Sequence, residues 1–88
     1  MDNTTLADQI KTQILSKVEP QAIIEVIDET YKHVKHRGYN QGKYHFMLNI
    51  NSQKLSTITK IQAHKQIFKA VEDLMPYIHA LSIKIKPE

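Results

Sequence analysis

A helical segment of about 18 residues separates two short alternating segments, and this spacing constrains the fold more than any other feature. Residues 58–75 carry apolar side chains at helical spacing and end at Pro76, whereas 43–51 and 78–86 alternate from one residue to the next. A helix of this length between two strands is a crossover, and crossovers join parallel strands. We therefore predict that the last strand runs parallel to the one before it.

The remaining segments predict an α-β-β-α-β order. An apolar stripe favours a first helix, with Thr5 and Asp8 suited to a capping box and Pro20 ending it. A β-branched run before a polar connection indicates a strand that pairs antiparallel with the next. The predicted elements are a helix over 1–19, strands over 22–28 and 43–51, a polar turn over 52–57, a helix over 58–75 and a strand over 78–86. The expected fold class is α+β, with a three-stranded mixed sheet in a single small domain, 1–88.

Composition narrows the classes of function. The 88 residues include no cysteine, which excludes disulfides, a thiolate nucleophile and an iron–sulfur site ligated by this chain's own cysteines. No 18-residue apolar run exists and the first residues lack the pattern of a secretory signal, so we expect a cytoplasmic protein without a membrane span. So short a chain rarely builds a catalytic cleft, and we expect no enzyme. A net charge of +3 permits contact with nucleic acid without demanding it.

Histidines are the most informative residues, because five of them occur in this short chain. His33 and His36 fall in the polar connection 29–42, which is longer than the roughly two to five residues of a usual hairpin loop. His79 stands at the start of the last strand. If that strand is parallel to the second and near the hairpin, His79 emerges at the end of the sheet that carries the connection.

Two neutral imidazoles make half of a tetrahedral metal site. The missing ligands would be water, thiolates of a partner, or a carboxylate such as Asp28 or Glu29. A hydrolytic metal site built from His33, His79 and a carboxylate is the enzymatic alternative. Solvent-exposed or boundary positions are expected for the remaining histidines, His36, His45 and His64.

The assembled motifs resemble the BolA-like family over about residues 6–86. Their order and spacing carry the resemblance more than any single motif. The matching stretches are Glu25–His33, His45-Phe46, Ser52, Ala63-His64-Lys65 and His79–Ile83. The resemblance implies a fold related to the type II KH domain, with the helices packed on one face of the sheet.

The resemblance also implies a partner and a cofactor. Members of the family form heterodimers with a monothiol glutaredoxin around a bridging [2Fe-2S] cluster, for which the glutaredoxin supplies a cysteine and a bound glutathione thiolate. In the histidine type of the family the ligands would be His79 and His33. The connection is about two residues longer than usual and holds His36 as an alternative to His33. No cofactor is expected in the isolated chain, and the implied role is iron–sulfur trafficking or iron and redox regulation.

A DNA-binding transcriptional regulator is the alternative function. Its candidate contacts are Lys60, Lys65 and Lys69, on the helix that carries the family's basic motif. Ala63 and Lys65 stand where the family has arginines, so a role that needs a bidentate arginine fork is not supported. The sequence also lacks the family's usual glycine within 54–57 and a GXXG loop of the kind by which KH domains clamp nucleic acid.

Overall fold

A computed structural model describes residues 2–30 and 44–87, and its elements follow the predicted order with two additions. The elements are α1 (Asn3–Lys17), β1 (Ile23–Asp28), β2 (Tyr44–Asn51), α2 (Gln53–Ser56), α3 (Lys60–Ala70), a 3₁₀ helix (Glu72–Tyr77) and β3 (Ile78–Lys86). A short helix thus replaces the predicted polar turn. The predicted long helix is divided into α3 and the 3₁₀ helix.

The sheet is mixed, as predicted. Its strand order is β1-β2-β3, with β1 antiparallel to β2 and β3 parallel to β2. The α+β fold class is therefore confirmed. Because β3 is parallel to β2 and adjacent to it, β3 begins at the end of the sheet where β1 ends.

A β-bulge interrupts the pairing of β3 with β2. Tyr44 pairs with Ile78 and His45 with Ala80, so that His79 is an extra residue in β3. Ile78 is buried and Leu81 packs against the core, which leaves two residues between successive core positions. The predicted alternation, in which His79 and Leu81 share a face, is therefore wrong at His79.

Both long helices pack on one face of the sheet. Their buried residues form one cluster with the core-facing residues of β2, and the cluster includes Leu6, Ile10, Ile14, Phe46, Leu48, Ile50, Ala63, Ile67 and Ala70. On the opposite face Ile23 is 63% exposed. Among the described residues, no helix lies over Ile23, because α1 and α3 bury their apolar residues against the other face of the sheet.

The helices begin at residues other than those predicted. The carboxylate of Asp2 caps α1 by accepting a hydrogen bond from the Thr5 backbone N–H at 2.8 Å, so the predicted box of Thr5 and Asp8 is wrong. This hydrogen bond lowers the pKa of Asp2. Thr59 and Gln62 form a capping box at the start of α3.

Two features on either side of α3 explain the elements that were not predicted. Ser52 caps α2, where its side-chain oxygen accepts from the Leu55 N–H at 3.1 Å and Leu55 is buried. Beyond α3, Pro76 has no N–H to donate and its ring would clash with the carbonyl of Glu72 in an α-helix. The chain therefore passes through a 3₁₀ helix before it enters β3.

Candidate functional site

His79 lies at the end of the sheet that the sequence predicted. It follows Ile78, which pairs with Tyr44 at the start of β2. The end of β1 lies on the other side of β2, where Asp28 pairs with Phe46. The side chain of His79 is exposed. Because a bulge re-aims the residue that it inserts, the imidazole leaves the core face and points outward at this end of the sheet. His33 and His36 lie outside the described residues.

His45 is buried against His79. Its side chain is only 7% exposed, and the ring centroids of the two histidines are 4.7 Å apart at an angle of 42°. Tilted rings at this separation attract each other. The expectation that His45 is a solvated strand residue was therefore wrong. The alternation of β2 correctly placed His45 on the outer face of the sheet. The His79 ring packs on His45 only because of the bulge in β3, which no sequence pattern indicates.

A hydrogen-bond network centred on Asp28 fixes the start of the connection between β1 and β2. One carboxylate oxygen accepts from the side-chain amide of Asn3 at 2.8 Å, and the other accepts from the backbone N–H of Thr30 at 2.9 Å and from its hydroxyl. The Thr30 oxygen also accepts from the backbone N–H of His45 at 3.1 Å. This single carboxylate therefore links the start of α1, the end of β1 and the start of β2.

The same network determines the ionisation of Asp28. Burial raises the pKa of this carboxyl, but the hydrogen bonds from Thr30 and Asn3 together outweigh burial and leave the pKa below its ordinary value. Both oxygens already accept hydrogen bonds, and this suits a structural role better than the metal-ligand role considered from the sequence. Within residues 2–30 and 44–87, no three side chains of His, Cys, Asp or Glu come together as a metal site.

Comparison with known proteins assigns the family. The family model described as BolA-like protein matches residues 14–88. The chain belongs to the BolA-like family. No curated protein sequence matches it.

Solved BolA structures share the fold of this BolA-like chain. The BolA domain of SufE1 from Arabidopsis thaliana is 26% identical, with a TM-score of 0.73, and the match covers 99% of this chain and 94% of that domain. BolA1 from the same plant is 22% identical, with a TM-score of 0.70 over 92% of this chain and 89% of the other. A Bol-like protein from Babesia bovis is 20% identical, with a TM-score of 0.69 over 92% and 83%.

The predicted nucleic-acid contacts of this BolA-like chain lie together on another surface. Lys60, Lys65 and Lys69 are exposed on α3 and rim a groove of about 700 Å³. The apolar residues of this α3 groove are Ile61, Phe68 and Met75. Ile61 and Phe68 belong to the apolar pattern that predicted this helix, but they are 72% and 36% exposed. The helical pattern gave no means of telling which of the two apolar stripes lies inside.

The described residues at the His79 end fit one ligand position of a tetrahedral iron centre, which the imidazole of His79 would fill. An exposed imidazole offers a nitrogen ligand of the kind that iron accepts beside sulfur, and the chain has no cysteine to complete the set.

In the part of the chain that the structure describes, no helix is both long enough and apolar enough to cross a membrane.

Proposed function

We propose that this BolA-like chain binds a monothiol glutaredoxin and that His79 ligates a [2Fe-2S] cluster held between the two proteins. The observation that carries the proposal is the position of His79, exposed on a bulge at the end of the sheet next to the β1–β2 connection. An exposed imidazole at the end of a sheet can reach a group held by a partner. A second imidazole from the adjacent connection, His33 or alternatively His36, would complete this chain's contribution.

The remaining ligands must be the partner's, because the chain has no cysteine. They are a cysteine of the glutaredoxin and the thiolate of its bound glutathione. Imidazole ligands in place of two thiolates raise the cluster's reduction potential. This chain's own residues orient the site, since His45 supports one face of the His79 ring and Asp28 fixes the first residues of the connection.

A role in iron–sulfur trafficking or in iron and redox regulation follows from this ligation. Imidazole binds iron only when neutral, so the cluster is held less firmly as pH falls. A cluster that is bound weakly and shared between two chains can be passed on or lost in response to conditions. Permanent electron storage would require a more firmly held group.

The proposal is tested by anaerobic reconstitution with a monothiol glutaredoxin, glutathione and iron. Wild-type protein should give a heterodimer whose visible circular dichroism differs from that of the glutaredoxin homodimer. His79→Ala should abolish that difference. The matched control is Ser82→Ala, an exposed position on the same strand that should leave the spectrum unchanged. An unchanged spectrum with His79→Ala would refute the ligand assignment.

Separate substitutions identify the second ligand. We expect His33→Ala to change the heterodimer spectrum and His36→Ala to leave it intact. The reverse result would assign the ligand to His36. If neither single change alters the spectrum but the double variant does, each histidine can replace the other.

DNA binding through Lys60, Lys65 and Lys69 stays an alternative prediction, motivated by their exposure along α3. Binding through phosphate contacts should weaken steeply as salt rises, and specific binding should discriminate between sequences. A weak isotherm at physiological salt that is indifferent to sequence would reject the alternative.

A further inference from the structure

One side of α3 is apolar and faces away from the core. Ile61 and Phe68 are seven residues apart, so they lie two helical turns apart on one side. Met75 of the 3₁₀ helix also lines the groove and is partly buried against the core. The opposite side of α3 already packs into the core through Ala63 and Ile67. A surface helix ordinarily has one apolar stripe, so the second stripe is not required for folding.

Cations rim this apolar stripe. Lys69 pairs with Glu72 at 3.1 Å, but within the part of the chain that the structure describes, Lys60 and Lys65 make neither a salt bridge nor a side-chain hydrogen bond. Three lysines against one glutamate leave an excess of positive charge around the apolar centre. The surface is therefore complementary to a ligand that is apolar in the middle and acidic at its edges.

We propose that the α3 groove binds an amphipathic helix of a partner protein, one with apolar residues at i, i+4 and i+7 and acidic residues on both sides. Two turns of a partner helix match the two turns between Ile61 and Phe68, and packed helices interdigitate at this spacing. The acidic flanks of that helix would meet Lys60 and Lys65. This inference depends on α3 alone and not on the role of His79.

Nucleic acid fits the same surface less well. Ile61, with 72% of its area exposed, offers neither a stacking ring nor a phosphate contact. A protein helix uses this exposed isoleucine, which fills the apolar seam between the two helices.

The test uses the full chain and a fluorescent model helix with leucines at i, i+4 and i+7 and glutamates in the flanking positions. Controls are a scrambled peptide of the same composition, a version with lysines in place of the glutamates, and a DNA duplex. We expect fluorescence anisotropy to show binding of the acidic amphipathic helix at least tenfold tighter than of either control peptide. Ile61→Ala should weaken that binding about tenfold, and Lys65→Glu should weaken it by a similar factor at low salt.

Ile23→Ala is the matched control, because Ile23 is also a largely exposed isoleucine but lies on the opposite side of the molecule. It should leave peptide binding unchanged. Equal affinity for the scrambled peptide, or equal losses with Ile23→Ala and Ile61→Ala, would overturn the proposal. DNA binding that is lost in Lys65→Glu but unaffected by Ile61→Ala, without preference for the acidic helix, would also overturn it and would assign the surface to nucleic acid.

Discussion

The His79 end of the sheet and the α3 groove are built in different ways. Backbone geometry determines the first, because a bulge places His79 against His45 and a carboxylate network fixes the chain beside it. The second is made by side chains on a regular helix, where an extra apolar stripe is surrounded by lysines. A backbone-built site suits a ligand with strict geometry such as a metal centre. A side-chain surface suits a partner that is recognised by shape and charge.

The largest expected effect is a complete separation of the two proposed functions by single substitutions. His79→Ala should remove the cluster signature of the glutaredoxin heterodimer and leave binding of the acidic model helix unchanged. Ile61→Ala should do the opposite, since Ile61 lies on α3 and the bulge lies in β3. Both variants are measured in both assays, and a variant that reduces both signals would show that the two surfaces act as one.

The two isoleucines of α3 should differ sharply in their effect on folding. Ile67 is fully buried, so Ile67→Ala should lower the free energy of unfolding by about 2–5 kcal/mol. Ile61 is 72% exposed, so Ile61→Ala should change it by less than about 0.5 kcal/mol. Urea unfolding monitored by circular dichroism measures both. Comparable losses would mean that Ile61 belongs to the core after all.

These two regions also show what the sequence could predict. Strand order and direction followed from the length of the crossover and from the alternation of Phe46, Leu48 and Ile50, because few topologies satisfy both constraints. His79 was placed at the correct end of the sheet for the same reason. The contact between His79 and His45 could not be predicted, because it depends on a bulge in β3. The residues of the strand would be the same with or without this bulge.

The errors in α3 have a different physical origin. Thr59 and Gln62 have the spacing of a capping box in the sequence. The prediction began the helix at Ile58, however, and so placed both residues inside the helix and not at its start. An apolar residue every three or four positions indicates a helix without saying which side faces the sheet. Ile61 and Ile67 are equivalent by composition, and only the packing of α3 on the sheet distinguishes them.

His45 should contribute to the stability of the fold as well as to the position of the His79 ring. Because its side chain is buried beneath the His79 ring, His45→Ala should lower the free energy of unfolding by about 2 kcal/mol. His45→Phe preserves the ring and should recover most of that loss. Chemical denaturation gives the stability, and the NMR shifts of the His79 imidazole report its orientation. If His45→Ala leaves those shifts unchanged, the ring contact does not position His79.

The smallest effect concerns Asp28 and depends on pH. The folded-state pKa of this carboxyl lies below its ordinary value of 3.8, because hydrogen bonds from Thr30 and Asn3 outweigh the effect of burial. A carboxyl with a depressed pKa contributes stability that is fully present above its unfolded-state pKa and is lost as pH falls through the folded-state value. Asp28→Asn should therefore be less stable than wild type near neutral pH, by about 1 kcal/mol for a partly exposed group.

The difference between the two proteins should shrink below about pH 4 as the carboxylate is protonated. Urea unfolding from pH 2.5 to pH 7 measures it, with Asp8→Asn as the control, because Asp8 is exposed on α1. A stability difference that does not change over this range would mean that the charge of Asp28 is unimportant and that only its hydrogen-bond geometry matters. A larger difference at acidic pH would contradict the assigned direction of the pKa shift, and with it the view that this carboxylate anchors the connection next to His79.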